Sequence, residues 1–100
     1  VPDFTFYSTV SAVLAVKAIP VLVDVKEDTY CIDVDRIKEA ITHKTKAVIP
    51  VHMAGNVCDM DEINDIAAKY NIAVIEDSSH AHGSSWKGKG AGSIGILGNF

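Results

Sequence analysis

The sequence predicts an open α/β fold with a mostly parallel sheet flanked by helices. Three observations carry that prediction. Two short apolar runs, Lys46-Ala-Val-Ile-Pro-Val51 and Ile72-Ala-Val-Ile75, have the length and β-branched content of buried strands. Between them, Met60, Ile63, Ile66, Ala67 and Tyr70 fall on one stripe at helical spacing. Strand, helix and strand within about thirty residues make a βαβ unit, whose strands run parallel with a right-handed crossover.

The remaining elements follow along the chain. Val10, Val13, Leu14 and Val16-Lys17 keep helical spacing from Thr9, with Thr5, Ser8 and Thr9 as candidate caps. Pro20 closes that helix, and Val21-Leu-Val23 reads as a short strand ending at Asp24. Lys26-Glu-Asp-Thr29 is polar turn material. A second helix places Val34, Ile37 and Ile41 on one face, with Asp33 as its N-cap. Ala54-Gly-Asn56 is loop; Asp59 followed by Glu62 resembles a capping box with Asp in place of Ser or Thr. Asn71 ends the helix so opened, and Glu76-Asp77 follow the second strand of the unit. Trp86 and Lys87 read as loop residues with a structural role, and Ile94 to Phe100 as the start of a further strand. With Val1-Pro2 at one end and an aromatic at the other, residues 1–100 are expected to be an interior part of a longer protein.

Composition excludes several classes. Apolar residues make up 48% and charged residues 22%, which is globular material of at most one domain. Nine Lys+Arg against 13 Asp+Glu give a net charge of −4, with the cations scattered. A nucleic-acid surface would need them clustered to displace counterions from phosphates. No apolar stretch approaches the ~20 residues that span a bilayer. No basic run leading into an apolar one opens the chain, so no signal peptide is expected. Cys31 and Cys58 belong to no CxxC or Cys/His ligand pattern. Reduced thiols and a cytoplasmic setting are the expectation.

Ligands of open parallel sheets gather beyond the carboxyl ends of the strands. His52 follows the strand ending at Val51, and Asp77-Ser-Ser-His80-Ala-His82 follows the strand ending at Ile75. Both groups therefore share one rim. Three readings are open for Asp77, His80 and His82: ordinary turn and loop residues, a metal site completed by His52, or a cofactor site where an acid holds a ring nitrogen. Spacing alone does not separate them. Gly90-Ala-Gly92-Ser-Ile-Gly95 fits GxGxxG, but it follows the polar run Trp86-Lys-Gly-Lys89 rather than a strand. A dinucleotide fingerprint needs that strand and a later acid, so these are better read as turn glycines.

A set of segments in order adds what spacing cannot. They are Thr5-Phe-Tyr-Ser-Thr9, Pro20-Val-Leu-Val-Asp24, Ala40 through His52, Gly55, Asp59-Met-Asp61, Ile75-Glu-Asp-Ser-Ser-His-Ala-His-Gly83, Gly92-Ser-Ile-Gly95 and Phe100. Together they resemble the DegT/StrS family of pyridoxal-phosphate (PLP) sugar aminotransferases over almost the whole chain. The resemblance implies the aspartate-aminotransferase-like fold, with residues 1–100 forming part of its PLP-binding large domain. It implies that Asp77 pairs with the protonated pyridine nitrogen of PLP, keeping the ring an electron sink. It places His80 beside the ring and its phenolic oxygen, and Phe6 on the ring face, where core packing is the competing reading. His52 and His82 match recurring positions without an assigned role, hydrogen bonding at the rim being the default for His52.

The implied reaction is amino transfer from an amino acid, glutamate by expectation, to a keto-sugar nucleotide, in a homodimer. A PLP-dependent sugar dehydratase of the same family, or a non-catalytic α/β regulatory or binding module, are the alternatives. Two departures accompany the resemblance. Ile96 stands where relatives often carry Asp, and none of the chain's lysines matches the one that bonds to the cofactor. That lysine is expected after Phe100, or a histidine there in a dehydratase. The helix that holds the cofactor phosphate is expected before Val1, so these residues alone are expected to be inactive.

Overall fold

A computed structural model describes all of residues 1–100. Its centre is a three-stranded parallel sheet formed by β1 (Ala47–Val48), β2 (Ala73–Asp77) and β5 (Leu97–Asn99), in the order β1-β2-β5. Ala47 pairs with Ala73 and Val48 with Val74; Ile75, Glu76 and Asp77 pair with Leu97, Gly98 and Asn99. The βαβ unit and the closing strand thus stand as expected. β1 is shorter than the predicted 46–51 run because Pro50 has no N–H to donate. Pairing resumes beyond it: Asp77 N–H donates to Pro50 O at 2.9 Å and His52 N–H to Asp77 O at 3.0 Å. β2 also reaches two residues past Ile75, which carries Asp77 to the tip of the central strand.

Helix α3 (Met60–Tyr70) connects β1 to β2 and buries Met60, Ile63, Ile66 and Ala67 of the predicted stripe, while Tyr70 at its end is exposed. Asp59 Oδ1 accepts the Glu62 N–H at 3.1 Å, and Asn71 closes the helix in the left-handed region at φ 52°. Helix α2 (Val34–Ala40) starts where Asp33 accepts the Asp35 N–H, and it lays Val34 and Ile37 onto the same core. Val23, Cys31, Ile32, Val48, Cys58 and Val74 complete that core.

Three expectations need correction. Helix α1 spans Tyr7–Ala15 with Phe6 as N-cap and no side-chain cap, so Thr5, Ser8 and Thr9 do not cap it. Its apolar residues are not core: Leu14 is 56% exposed and Thr9 is its only buried residue. Residues 21–23 form no strand but a single parallel bridge, Pro2 with Val23, in which Val23 N–H donates to Val1 O at 2.9 Å and Asp3 N–H to Val23 O at 2.8 Å. The region of Trp86 and Lys87 is a hairpin, β3 (Ser85–Trp86) against β4 (Lys89–Gly90), turned through Lys87 at φ 49° and Gly88 at φ 85°. Two positive φ values match the twist of a tight two-residue turn. Trp86 Nε1 and Lys87 Nζ both bond Asp61 at the start of α3, which pins the hairpin to the core. No helix is long and apolar enough to cross a membrane.

Candidate active site

Asp77 lies at the carboxyl tip of the middle strand, where ligands of such sheets collect. Its side chain turns toward α1 and lines an open cleft of about 100 Å³ together with Thr5, Phe6, Ser8, Val51, Met53, Ser79 and His80. The structure therefore brings Asp77, His80 and Phe6 to one cavity although they lie far apart in sequence. Phe6 is 63% exposed at the edge of that cleft, outside the core that residues 1–100 form. Its ring sits 4.5 Å from that of Tyr7, tilted by 47°.

Three donors hold the Asp77 carboxylate. Oδ1 accepts from Ser79 Oγ at 2.6 Å and from Ser79 N–H at 3.2 Å. Oδ2 accepts from Thr9 Oγ1 at 2.9 Å. A carboxylate offers about four lone-pair sites, two on each oxygen. Oδ1 is filled, and Oδ2 keeps one site free. That geometry suits one further N–H donor.

The other histidines separate. His52 is fully buried beneath the rim rather than on it. Its Nδ1 accepts the Cys58 N–H at 3.2 Å, so the ring hydrogen lies on Nε2, which donates to Glu76 Oε2 at 2.9 Å. His82 is exposed beside Phe100, their rings 5.4 Å apart. The four side chains of the metal reading do not converge, and no three His, Cys, Asp or Glu groups gather for an ion.

Sequence reasoning missed Glu76. The residue is fully buried and takes four donors: His52 Nε2, Gly92 N–H at 2.7 Å, Ile94 N–H at 2.6 Å and the Gly95 N–H. Burial is the largest influence and pushes its carboxyl up. The Gly95 amide, His52, and the Gly92 and Ile94 amides together outweigh it and hold the group below its ordinary range. The GxGxxG segment thus spends its amides on an internal carboxylate, leaving none of those three for a pyrophosphate. Gly92 needs φ +86°, and a Cβ there would meet the Phe100 ring at 2.5 Å. A signal for Glu76 was present: on a strand of period two it shares the inward parity of Val74. A charge on that face needs partners.

Cys31 and Cys58 are both free and buried. Hydrogen bonding from Cys58 lowers the Cys31 thiol to about 7, and the same contact together with burial pushes Cys58 up.

The family model for the DegT/DnrJ/EryC1/StrS aminotransferases matches residues 1–100. A dTDP-3-amino-3,6-dideoxy-alpha-D-galactopyranose transaminase of Aneurinibacillus thermoaerophilus is 47% identical over 100 residues, covering 100% of this chain and 28% of its own length. Among solved structures, the aminotransferase from Psychrobacter cryohalolentis superposes with a TM-score of 0.96 at 45% identity, over 98% of this chain and 25% of that one. The PLP form of Spr1654 from Streptococcus pneumoniae gives 0.91 at 37% identity, over 97% of this chain and 29% of that one. The chain spans about a quarter of the length of these relatives. With the whole length matched, and a parallel sheet whose central strand delivers Asp77 to the cleft, the chain belongs to the DegT/DnrJ/EryC1/StrS aminotransferase family.

Proposed function

We propose that these residues serve a PLP-dependent aminotransferase that moves an amino group from an amino acid, glutamate by our reading, to a keto-sugar nucleotide. The observation that carries the proposal is the free lone-pair site of Asp77 Oδ2, at a strand tip, in a cleft shared with an exposed aromatic and a histidine. These residues fit the ring of the cofactor: Asp77 would hold its nitrogen, Phe6 its face and His80 its oxygen. No lysine or arginine lines the cleft, so the phosphate would draw on other parts of the protein.

When bound, PLP supplies an electron-withdrawing ring that carries nitrogen between the two substrates. The chain's part is positioning and charge. Asp77 keeps a proton on the ring nitrogen, because a carboxylate beside a pyridinium favours its charged form. Ser79 fixes the carboxylate from the side away from α1, and Phe6 restricts the ring to one plane. The same proposal includes a homodimer in the cytoplasm. The exposed apolar flank of Leu14, Val16 and Ile19 supports a covering surface, and the two free thiols support a reducing compartment.

Asp77→Ala in the full-length enzyme tests the assignment. Loss of a charge aimed at the reacting system costs about 10²–10³ in turnover. Turnover within a few-fold of wild type would remove Asp77 from the mechanism.

A further inference from the structure

Thr9 is the single buried residue of α1, on a helix whose apolar side chains are largely exposed. A buried hydroxyl needs a use. The bond to Asp77 spans 68 positions of sequence and is a side-chain link from α1 to the tip of β2. Thr9 Oγ1 has one hydrogen, and it goes to Asp77 Oδ2. The 3.0 Å bond between Thr5 Oγ1 and Thr9 Oγ1 must then have Thr5 as donor. Thr5 therefore orients Thr9, and Thr9 points at the carboxylate. Such a chain polarises each bond in the same direction.

The lone-pair count gives this a purpose. Ser79 grips Oδ1 only. A carboxylate held at one oxygen can swing the other through the broad torsional well about its last bond. Thr9 removes that freedom at Oδ2, the atom with a site still open. We propose that Thr9, oriented by Thr5, is a positioning residue that fixes Asp77 Oδ2 so that its remaining lone pair meets the ring nitrogen of the cofactor. The inference rests on the reading of Asp77 given under the proposed function.

The test uses the full-length protein stripped of cofactor, in Thr9→Val, Thr9→Ser and Asp77→Asn forms. PLP dissociation constants come from absorbance titration, the pH dependence of the bound cofactor's visible band is followed, and the melting temperature of the apo form is recorded. Thr9→Val keeps shape and loses the donor, so PLP affinity falls by about ten-fold, the worth of one charge-assisted hydrogen bond. The pH midpoint of the visible band is displaced from the wild-type value. Thr9→Ser restores both to near wild type. A merely structural threonine would lower the apo melting temperature and leave the band's midpoint in place. Wild-type affinity and midpoint in Thr9→Val overturn the inference, as does failure of Ser to rescue. If Asp77→Asn changes the band while Thr9→Val does not, only Thr9 loses its role; if neither changes it, the reading of Asp77 falls as well. Should Thr9→Val fail to fold, Thr5→Val gives the same displacement in smaller measure, and its absence is equally decisive.

Discussion

Replacing Glu76 with Gln tests the buried network beneath the cleft. The carboxylate faces four donors and no acceptor: the amides of Gly92, Ile94 and Gly95, and His52 Nε2. A Gln side chain offers one oxygen and one NH₂. With the oxygen toward Ile94 and Gly95, the NH₂ meets Gly92 N–H and His52 Nε2–H head-on. His52 cannot relieve this by moving its hydrogen, because Nδ1 would then lose the Cys58 N–H it accepts. At least two donors are orphaned, at about 1–3 kcal/mol each. Release from burying a charge offsets part of that, leaving a net loss of about 1–3 kcal/mol. Urea unfolding of the full-length protein at neutral pH measures it.

Acidification supplies the second arm of the same experiment. The folded carboxyl lies below its unfolded value of 4.5. Its contribution is therefore complete above that value and fades as pH drops through the folded one. Wild type should lose stability in acid and approach the Gln variant. A wild-type midpoint for Glu76→Gln at neutral pH, or a gap unchanged on acidification, would refute the account of the network.

Two further outcomes complete the set. Asp59→Ala removes the acceptor of the Glu62 N–H at the start of α3 and should cost about 1 kcal/mol by urea denaturation, with cofactor affinity unchanged. Both thiols are buried, so a small iodoacetamide should label neither Cys31 nor Cys58 until the protein unfolds. Mass spectrometry after timed quenching reads both thiols, and labelling of either in the folded protein would contradict their burial.

What the sequence made legible was whatever the chain settles locally. The α3 stripe, its Asp59 cap and its Asn71 stop all lie within a dozen residues of one another, and each acts through neighbours in sequence. Asp77, His80 and Phe6 were found through resemblance and parallel-sheet geometry, and the cleft gathers them. Misreadings occurred where a partner was distant. Thr9 looked like a cap because its hydroxyl was free to serve one locally, yet a carboxylate 68 positions away takes it. The spacing of Val10, Val13 and Leu14 correctly described one face of a helix, but residues 1–100 cover that face only in part, leaving Val10 and Val13 half-buried and Leu14 exposed. His52 looked like a rim residue and Glu76 drew no reading, since sequence gives no depth; only the side-by-side pairing of strands sinks both below the surface.

Consecutive acids on β2 show what alternation across a pleated strand can do. Glu76 faces inward and seizes the loop that delivers β5; Asp77 faces the opposite way and addresses the outside world. Sliding this strand by a single position would exchange their surroundings, stranding a short acid among amides and sending a longer one into the open. Alignment of the sheet and chemistry of the opening are thereby policed by the same dipeptide. An error in either is an error in both.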